Sequence, residues 1–478
     1  VYALKTLQQF PEATLLAQKL SVLIPHDPQY QIQMAELFIL NNQPPPAISI
    51  SLNGQQRWPE NLTFKHVEAK ARAANGENTK AIDILVSLLE NNPHDPVLLT
   101  ELGTCWRNLG EIHKSHDAFS KAAQHSEQAE TLQNLGLSWQ DLDEPHQAIA
   151  CFDKALTLSP GNIDIRWNRS MSLIATGAYK EGWKEFEVRW QSKNVLGPAN
   201  RHFQQPLWDG SPLNNQTLLI HAEQGFGDSL NFIRYIPFIP NHKGKIIVEC
   251  QKALIELFTD SLKVDAVVAQ GEPLPPFDIH CPLMSLPHIF GTSLETIPAH
   301  VPYLSVQSKS IDAWQKRLPS DKPLVGLVWS GGARVGNEQL LSVDRRRSLC
   351  LNDFSPFSKV ASINFISLQM GQPAEQAASP PNGMLLTDLS SQISNFADTA
   401  AIISNLDLLI SVDTAVAHLA GALNKPVWML LRKGCWRWLQ NRDDSPWYPS
   451  MRIFRQSHVG EWPPVIEDIA TALYNKYS

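Results

Sequence analysis

Chemistry is first suggested by the segment from His221 to Asp228, HAEQGFGD, which follows an apolar run and opens a helical pattern. Its glycines, among them Gly227, let a ligand approach the backbone, and the amides at a helix start attract anions and polar acceptors. Asp228 falls in the first turn of that helix, where an ionised carboxylate can act as general base toward a hydroxyl or amide. Ordinary capping of the helix by Asp228 is the alternative role.

A second group of reactive residues lies in the stretch ISVDTAVAHLAG, from Ile410 to Gly421. An apolar run ends there on Asp413 and Thr414, which are predicted to cap the next helix. The amides of its first turn and the Thr414 hydroxyl can then hold a diphosphate. His418 lies one turn further on. Taken alone it suits a packed core histidine, but beside Asp413 and Thr414 it favours a ligand site.

Two further candidates lie between these segments. The loop sequence DRRRS contains three consecutive arginines, and we expect Arg345 and Arg346 on a solvated face. Arg347 is predicted to neutralise a departing diphosphate through its planar fork of donors. Gln369, at the end of the apolar run NFISLQ, is predicted to hydrogen-bond a base or ribose; an ordinary loop glutamine is the alternative.

The elements that must position these residues are short apolar runs alternating with helical patterns. TLLIHA, KIIVEC, DAVVAQ and FDIHCP predict four buried strands of a first lobe at 217–305. PLVGLVWS, NFISLQ, GMLLTDL, LDLLISVD, PVWMLL and MRIFRQ predict six strands of a second lobe at 306–458, followed by a closing helix at 459–478. Two open α/β sheets in tandem leave a cleft beyond the carboxyl ends of the strands, where ligands bind.

Internal periodicity governs residues 1–192. Pro25, Pro59 and Pro93 are 34 residues apart, and Pro160 follows two repeats later with one residue deleted. This is the period of the tetratricopeptide repeat, a helical hairpin whose second helix ends at the proline. We therefore expect an α-solenoid of about five and a half repeats in this range.

Successive copies also match at six positions, in the order large, small, large, turn residue, large, small. One copy has Leu102, Gly103, Trp106, Gly110, Phe119 and Ala122, and the copy after it has Leu135, Gly136, Trp139, Asp143, Phe152 and Ala155. Small residues are expected where two antiparallel helices cross closely, and large ones where they fill the holes.

A solenoid of hairpins presents a long concave face suited to peptides or protein partners. We expect a polypeptide acceptor or partner on that face. The alternatives are that the array braces the second half of the chain or forms a homo-oligomer. Residues 193–216, rich in Pro, Gly, Asn and Gln, are predicted to link the array to the α/β half.

Composition limits the classes of partner. With 40 Lys and Arg against 47 Asp and Glu, the net charge is -7, so we expect no nucleic acid. No apolar run approaches the ~20 residues that span a bilayer, and VYALKTLQQF lacks the layout of a signal peptide, which predicts no membrane insertion. The six dispersed cysteines form no CxxC pair, as expected of a reduced, cytoplasmic protein. Because the sequence starts at Val1 rather than Met, residues before it stay an open question.

The GxGD and DTxxxHLA turns together resemble those of the ADP-heptose glycosyltransferase (heptosyltransferase) superfamily. Gly227 and Asp228 match the first signature, and Asp413, Thr414 and His418 match the second, followed by Leu and Ala. The similarity covers about residues 217 to 470. It implies a GT-B pair of Rossmann-type α/β lobes, the first for the acceptor and the second for a nucleotide sugar.

The resemblance also implies roles for the matching residues. Asp228 corresponds to the catalytic base, and Asp413, Thr414 and His418 correspond to the turn that grips the nucleotide-sugar phosphates. Arg347 is the nearest match to a basic residue that contacts the diphosphate. Resemblance further implies an inverting transfer, and the lack of a DxD motif at a strand end favours a reaction without metal or other cofactor.

The repeat array changes the expected acceptor. The family's lipid-linked acceptor does not come with tetratricopeptide repeats, whereas the layout is similar to that of the O-GlcNAc transferases, which modify proteins. Our first hypothesis is therefore a glycosyltransferase that acts on a polypeptide. A catalytically silent scaffold, a heptosyltransferase-like enzyme acting on a glycan, and an epimerase of the same shape are the alternatives. The sugar, the nucleotide base and the linkage atom stay open.

Overall fold

The computed structural model describes residues 10–23, 27–192, 201, 203–240, 243–332 and 344–477. The chain divides into two compact units. The first contains the described residues up to Leu142 together with Ala150–Pro160. The second contains Asp143–Ile149 and the described residues from Gly161 onward.

Consecutive helices of similar length fill the chain before the first strand. They are α1 (Phe10–Leu23), α2 (Pro28–Leu40), α3 (Pro44–Arg57), α4 (Thr63–Ala74), α5 (Asn78–Asn91), α6 (Pro96–Leu109), α7 (Ile112–His125), α8 (Ala129–Asp141), α9 (Pro145–Leu158), α10 (Ile163–Ala175) and α11 (Tyr179–Phe186). Helix α2 packs on α3, α4 on α5, α6 on α7 and α10 on α11, so neighbours pair as hairpins. The predicted helical-repeat architecture is confirmed.

A left-handed residue closes the turn inside each hairpin, and these residues recur with the period of the sequence. They are Asn42, Gly76, Gly110, Asp143 and Gly177, with φ of 56°, 78°, 83°, 65° and 85°. Only glycine, asparagine and aspartate adopt this conformation readily. The intervals of 34, 34, 33 and 34 residues include the single deletion seen in the proline spacing.

The small and large positions of the repeat meet as the sequence predicts. A Cβ atom on Gly103 would lie 2.8 Å from the Phe119 ring, and one on Gly136 would lie 2.5 Å from the Phe152 ring. Both distances are far below van der Waals contact, so only glycine allows each pair of helices to cross this closely.

The last hairpin, α10 and α11, belongs to the second unit, although its helical period places it in the 1–192 array. Tyr179, Trp183 and Phe186 are fully buried in the hydrophobic core that also contains the first sheet. The described part of the predicted 193–216 linker is packed as well: Trp208 is buried, and its amide donates to the carbonyl of His280 at 2.8 Å. Burial of these aromatic side chains explains why the compact unit begins before the helical repeats end.

The first sheet has four parallel strands in the order β3-β2-β1-β4. They are β1 (Thr217–His221), β2 (Lys245–Cys250), β3 (Ala266–Ala269) and β4 (Ile279–Pro282). The accompanying helices are α12 (Phe226–Phe232), α13 (Ile255–Ser261) and α14 (Leu286–Ile289). The strand order reverses beside β1, so the loop after β1 lies at a topological switch point.

The second sheet has six parallel strands in the order β10-β9-β8-β5-β6-β7. They are β5 (Leu324–Val328), β6 (Asn364–Ser367), β7 (Leu386–Asp388), β8 (Leu408–Val412), β9 (Val427–Leu431) and β10 (Met451–Arg455). The helices are α15 (Ser308–Gln315), α16 (Phe396–Ser404), α17 (Ala415–Ala422) and α18 (Pro463–Tyr477). Here the order reverses between β5 and β8, as in a doubly wound fold.

All ten predicted strands are present, and the predicted α-helical and α/β fold class is confirmed. Strands β5 and β8 are buried along their whole length, which explains why they are continuous apolar runs in the sequence. The closing helix α18 packs its buried face, including Val465 and Ile469, into the core of the second sheet. Among the described residues, no helix has the length and apolar character needed to cross a membrane.

Candidate functional site

Asp228 lies at the first switch point, in the first turn of α12. Its Oδ2 accepts a hydrogen bond from the Gly225 amide at 3.2 Å, so one carboxylate oxygen does cap the helix. Its Oδ1 accepts a hydrogen bond from Nη2 of Arg437. The carboxylate therefore combines the capping role with an ion pair to a residue of the second lobe.

The loop that carries Asp228 is held by side chains from neighbouring strand ends. Gln251, after β2, donates from Nε2 to the Gln224 carbonyl at 2.7 Å, and Gln270, after β3, donates to the Ala222 carbonyl at 2.9 Å. Amide side chains of this kind satisfy the buried carbonyls of a non-helical turn. Asp228 is thus presented on a fixed segment.

A buried arginine also holds this loop. Arg189, which follows α11, is fully buried and donates from Nε and Nη2 to the two carboxylate oxygens of Glu223 at 2.8 and 2.9 Å. Its Nη1 donates to Glu187 at 2.6 Å, and Ser285 accepts from Nη2 at 2.8 Å. Burial opposes the charge, but Glu223 and Glu187 outweigh it and raise the pKa of Arg189. The last repeat hairpin is thereby joined to the Asp228 loop.

Asp413 and Thr414 lie at the second switch point, between β8 and α17. Thr414 begins the helix without capping it through its side chain, because its hydroxyl lies 2.9 Å from the Ser411 hydroxyl. The Asp413 side chain is buried and accepts a hydrogen bond from the Cys435 thiol at 3.4 Å. Burial alone would raise the pKa of Asp413, but nearby positive charge, chiefly that of Arg437, lowers it, so the carboxylate is ionised.

His418 is buried at the place where the two lobes meet. Its Nδ1 lies 2.9 Å from the Tyr448 hydroxyl, and its ring stacks on Trp438 at 5.2 Å between centroids. Burial, aided by the charge of Arg437, lowers the pKa of His418 to about 3, so the imidazole is neutral. The Tyr448 hydroxyl donates its one proton to Asn231 at 2.9 Å, and we therefore assign the imidazole proton to Nδ1.

His418 thus has features of a packed core histidine and of a site residue. With the proton on Nδ1, its Nε2 is an acceptor, and this atom lies 3.9 Å from Oδ1 of Asp413. Gly227 makes the arrangement possible, because a Cβ atom at that position would lie only 3.0 Å from Cδ2 of His418. The two turns singled out in the sequence are therefore in direct contact across the lobes.

Arg347 lies beside Asp413. Its Nη1 donates to the Asp413 carbonyl at 3.1 Å, and its Nη2 pairs with Asp344 at 2.7 Å. The guanidinium lies against Gly331, where a Cβ atom would approach Nε to 2.7 Å. Of the other two arginines of the run, Arg345 is exposed and Arg346 is half-buried.

The side-chain amide of Gln369 forms its hydrogen bonds within the protein. Its Oε1 accepts from the amides of Trp329 and Ser330 at 3.1 and 2.8 Å, and its Nε2 donates to the carbonyls of Ser330 and Met370 at 3.1 and 3.0 Å. Both acceptor positions and both N–H groups are thereby engaged. Gln369 holds the turn after β5 at the switch point; direct contact with a base or ribose stays a prediction.

Arg437 is the site residue that the sequence reasoning missed. Besides its bond to Asp228, its guanidinium lies 4.3 Å from the centroid of the Trp436 ring. Burial works against its charge, but Asp228 and Asp413 overcome this and raise the pKa of Arg437. The available signal was an arginine between two tryptophans shortly after β9, at the carboxyl side of the sheet, where the aromatic residues suggested packing alone.

The acidic and thiol groups do not form a cluster of the metal-binding kind in the part of the chain that the structure describes. No three His, Cys, Asp or Glu side chains there lie close enough to hold one ion. Charge in the site comes instead from two aspartates, Asp228 and Asp413, and two arginines, Arg347 and Arg437.

Comparison with known proteins assigns a class to this site. Residues 378–433 match the model of glycosyltransferase family 9, the heptosyltransferase family. The match contains β7, β8, α17 and β9, and with them Asp413, Thr414 and His418. The chain thus joins N-terminal helical repeats to an α/β module whose second lobe contains a match to glycosyltransferase family 9, and the enzyme class is that of a glycosyltransferase.

Individual relatives span both halves of the chain or one of them. Protein FlbA of Caulobacter vibrioides is 26% identical over 437 residues, which are 83% of this chain and 70% of FlbA. The glycosyl transferase family 9 structure from Veillonella parvula is 7% identical, covers 56% of this chain and 100% of its own, and has a TM-score of 0.41. TTC0263, a tetratricopeptide protein of Thermus thermophilus, is 21% identical over 36% of this chain and 95% of its own, with a TM-score of 0.34.

Proposed function

We propose that the protein is a metal-independent, inverting glycosyltransferase that moves a sugar from a nucleotide sugar to a polypeptide recruited by its helical repeats. The observation that carries the proposal is the contact between the two switch-point turns. Asp228 in one turn forms an ion pair with Arg437, and Asp413 in the other turn also acts on the charge of Arg437. A base for the acceptor and charge for the donor are thus available in one place.

The donor diphosphate is proposed to bind at the start of α17. Helix α17 directs its amino-terminal amides toward this point, and Thr414 leaves them uncapped by its side chain. Arg347 adds positive charge beside Asp413. As the anomeric carbon–oxygen bond breaks, these donors stabilise the negative charge that develops on the leaving nucleoside diphosphate.

Asp228 is proposed to activate the acceptor. Its carboxylate takes the proton from a hydroxyl or amide while that acceptor atom bonds to the anomeric carbon. The electron pair of the broken bond leaves on the nucleoside diphosphate, so one bond forms and one breaks. Attack from the side opposite the leaving group inverts the anomeric configuration, and no covalent sugar–enzyme intermediate is needed.

A polypeptide acceptor is favoured by the helical repeats and by their connection to the site. Repeats of this kind bind peptides and protein partners on their concave face. The buried pair of Arg189 and Glu223 joins the end of the last hairpin to the Asp228 loop. A glycan acceptor is the second candidate, because the matched family is that of the heptosyltransferases.

A donor screen followed by an acceptor test examines this proposal. UDP, GDP, ADP, CMP and their sugars are tested for a rise in melting temperature, since a ligand that binds the folded state stabilises it. One nucleotide class should raise the melting temperature of the wild type but not that of the Asp413→Ala variant. Label from that nucleotide sugar should then enter a protein fraction rather than a glycan fraction. Absence of any shift would favour a silent scaffold instead.

A further inference from the structure

Arg437 binds the carboxylate of Asp228, and this ion pair conflicts with the use of Asp228 as a base. Oδ1 of the carboxylate is held by the guanidinium and Oδ2 by the Gly225 amide. Both side chains are largely shielded from water, with 13% of Arg437 and 15% of Asp228 exposed. With the guanidinium on Oδ1 and little of the side chain exposed, the carboxylate must be uncovered before an acceptor can approach it.

Resting on the function proposed above, we infer that Arg437 exchanges Asp228 for the donor diphosphate. In the unliganded protein it covers the base; when a nucleoside diphosphate binds beside Asp413, the guanidinium turns to the phosphates and uncovers Asp228. Arg437 would then be both a diphosphate-binding residue and the element that makes the donor bind before the acceptor.

Unused hydrogen-bonding capacity supports this exchange. Nε of Arg437 and Nε of Arg347 are both buried, and neither has a hydrogen-bond partner among the described residues. Buried donors normally have acceptors, and both arginines act on the charge of Asp413, so these two atoms are available to an anion that binds there. A diphosphate offers several oxygens, and guanidinium groups bind phosphate with paired, charge-assisted bonds.

The charges of the site point the same way. Asp228 and Asp413 both act on Arg437, and the positive charge of Arg437 is the strongest influence favouring ionised Asp413. A diphosphate arriving next to Asp413 brings further negative charge into a buried place, where charges must be paired. Arg437 is the nearby cation that can pair with the diphosphate, and its departure leaves the Asp228 carboxylate free to take a proton from the acceptor.

Arg437 lies in a short turn and has an aromatic contact that does not depend on Asp228. The residue lies in a three-residue 3-10 turn from Trp436 to Trp438 rather than in a long helix. Left-handed residues stand on both sides, Gly434 with φ 74° and Leu439 with φ 55°. The stacking of the guanidinium on the Trp436 ring can be kept while its donors turn.

Calorimetric titration of the full chain with UDP, GDP and ADP tests the inference. Arg437→Gln should weaken binding of the diphosphate by about tenfold to a hundredfold, since a charge-assisted bond is lost. Binding of the matching nucleoside, which has no phosphate, should stay the same. Arg442→Gln is the matched control, because Arg442 lies in the same segment and pairs instead with Asp444.

The Asp228→Asn variant tests whether Arg437 leaves Asp228 when it binds the diphosphate or merely attracts the diphosphate by its charge. Asp228→Asn should tighten diphosphate binding about threefold to tenfold, because Arg437 no longer has to leave a carboxylate. The same substitution should have no effect in the Arg437→Gln background. Arg437→Lys, which keeps the charge, should retain part of the affinity and shows that the loss in Arg437→Gln is not due to unfolding.

The outcomes distinguish this inference from the proposed function. If the wild type binds a nucleoside diphosphate and transfers sugar while Arg437→Gln binds equally well, the exchange is refuted and the function stands. If Asp228→Asn tightens binding even without Arg437, the exchange is also refuted. If the wild type binds none of the three nucleotides and transfers nothing, both the function and the exchange are refuted.

Discussion

Replacement of Gly227 by alanine should disturb the contact between the two turns while the rest of the fold is kept. The new Cβ would lie 3.0 Å from Cδ2 and 3.5 Å from Nε2 of His418. Carbon atoms in contact are normally 3.5–4.0 Å apart, so the ring or the helix must move by about half an ångström. His418 cannot yield easily, because it is bonded to Tyr448 and stacked on Trp438.

The magnitude follows from two opposing effects. Overpacking of this kind costs about 1–3 kcal/mol, whereas alanine in a helix returns at most about 1 kcal/mol over glycine. The return is smaller here because Gly227 is the second residue of a seven-residue helix. We expect Gly227→Ala to lower the free energy of unfolding by about 1–2 kcal/mol.

Gly225→Ala is the control for this substitution. A Cβ there would lie 3.5 Å from Oδ2 of Asp228, an ordinary contact, and the φ of Gly225 is -72°, which alanine adopts freely. Because Gly225 is the N-cap of α12, where alanine is less favourable than glycine, the free energy of unfolding of Gly225→Ala should fall by at most about 0.5–1 kcal/mol. Urea denaturation of both variants, with nucleotide binding measured alongside, gives the comparison. Equal stability and equal binding of the two variants would refute the account of the turn contact.

Three further predictions concern buried polar groups. Glu223→Gln removes one of the two carboxylates that pair with buried Arg189 and leaves Glu187 as the other, so the free energy of unfolding in urea should fall by about 2–3 kcal/mol; an unchanged midpoint would contradict this. Burial lowers the pKa of His221 and His418 to about 3, while in the unfolded chain histidine titrates near 6.5; only the unfolded chain therefore takes up protons as the pH falls below 6.5, and about 2 kcal/mol per histidine should be lost between pH 8 and pH 5. Denaturation curves that coincide at the two pH values would be inconsistent with buried neutral imidazoles. Gln369→Ala frees the turn after β5 and should weaken donor binding with little loss of secondary structure, as measured by calorimetry and circular dichroism; undiminished affinity would show that the turn does not position the donor site.

Most of the fold was predictable because its signals are local. Each strand is an apolar run bounded by polar or turn residues, and the repeats show a fixed period with fixed small positions. The boundary between the compact units was not predictable in this way. Helices α10 and α11 keep the period of the repeats, and only the burial of Tyr179 and Trp183 in the α/β core assigns them to the second unit.

The site was predictable where a residue's function depends on its own loop. Asp228 and Asp413 each lie between a strand and the first turn of a helix, and His418 lies one turn further on, so their positions at the switch points could be inferred. Arg437 could not, because its bond to Asp228 joins residues 209 positions apart. Gln369 was recognised by its place after a strand. That its side-chain amide is fully hydrogen-bonded could not be foreseen, because its partners lie in the turn after β5.

Asp228 is proposed to deprotonate the acceptor during sugar transfer. Its most direct test is the rate of label transfer from the nucleotide sugar that stabilises the protein, compared between wild type and Asp228→Asn. Loss of a general base should slow transfer by about 10²- to 10⁴-fold while nucleoside diphosphate binding is retained. Equal transfer rates in the two proteins would contradict the assignment of Asp228 as the base.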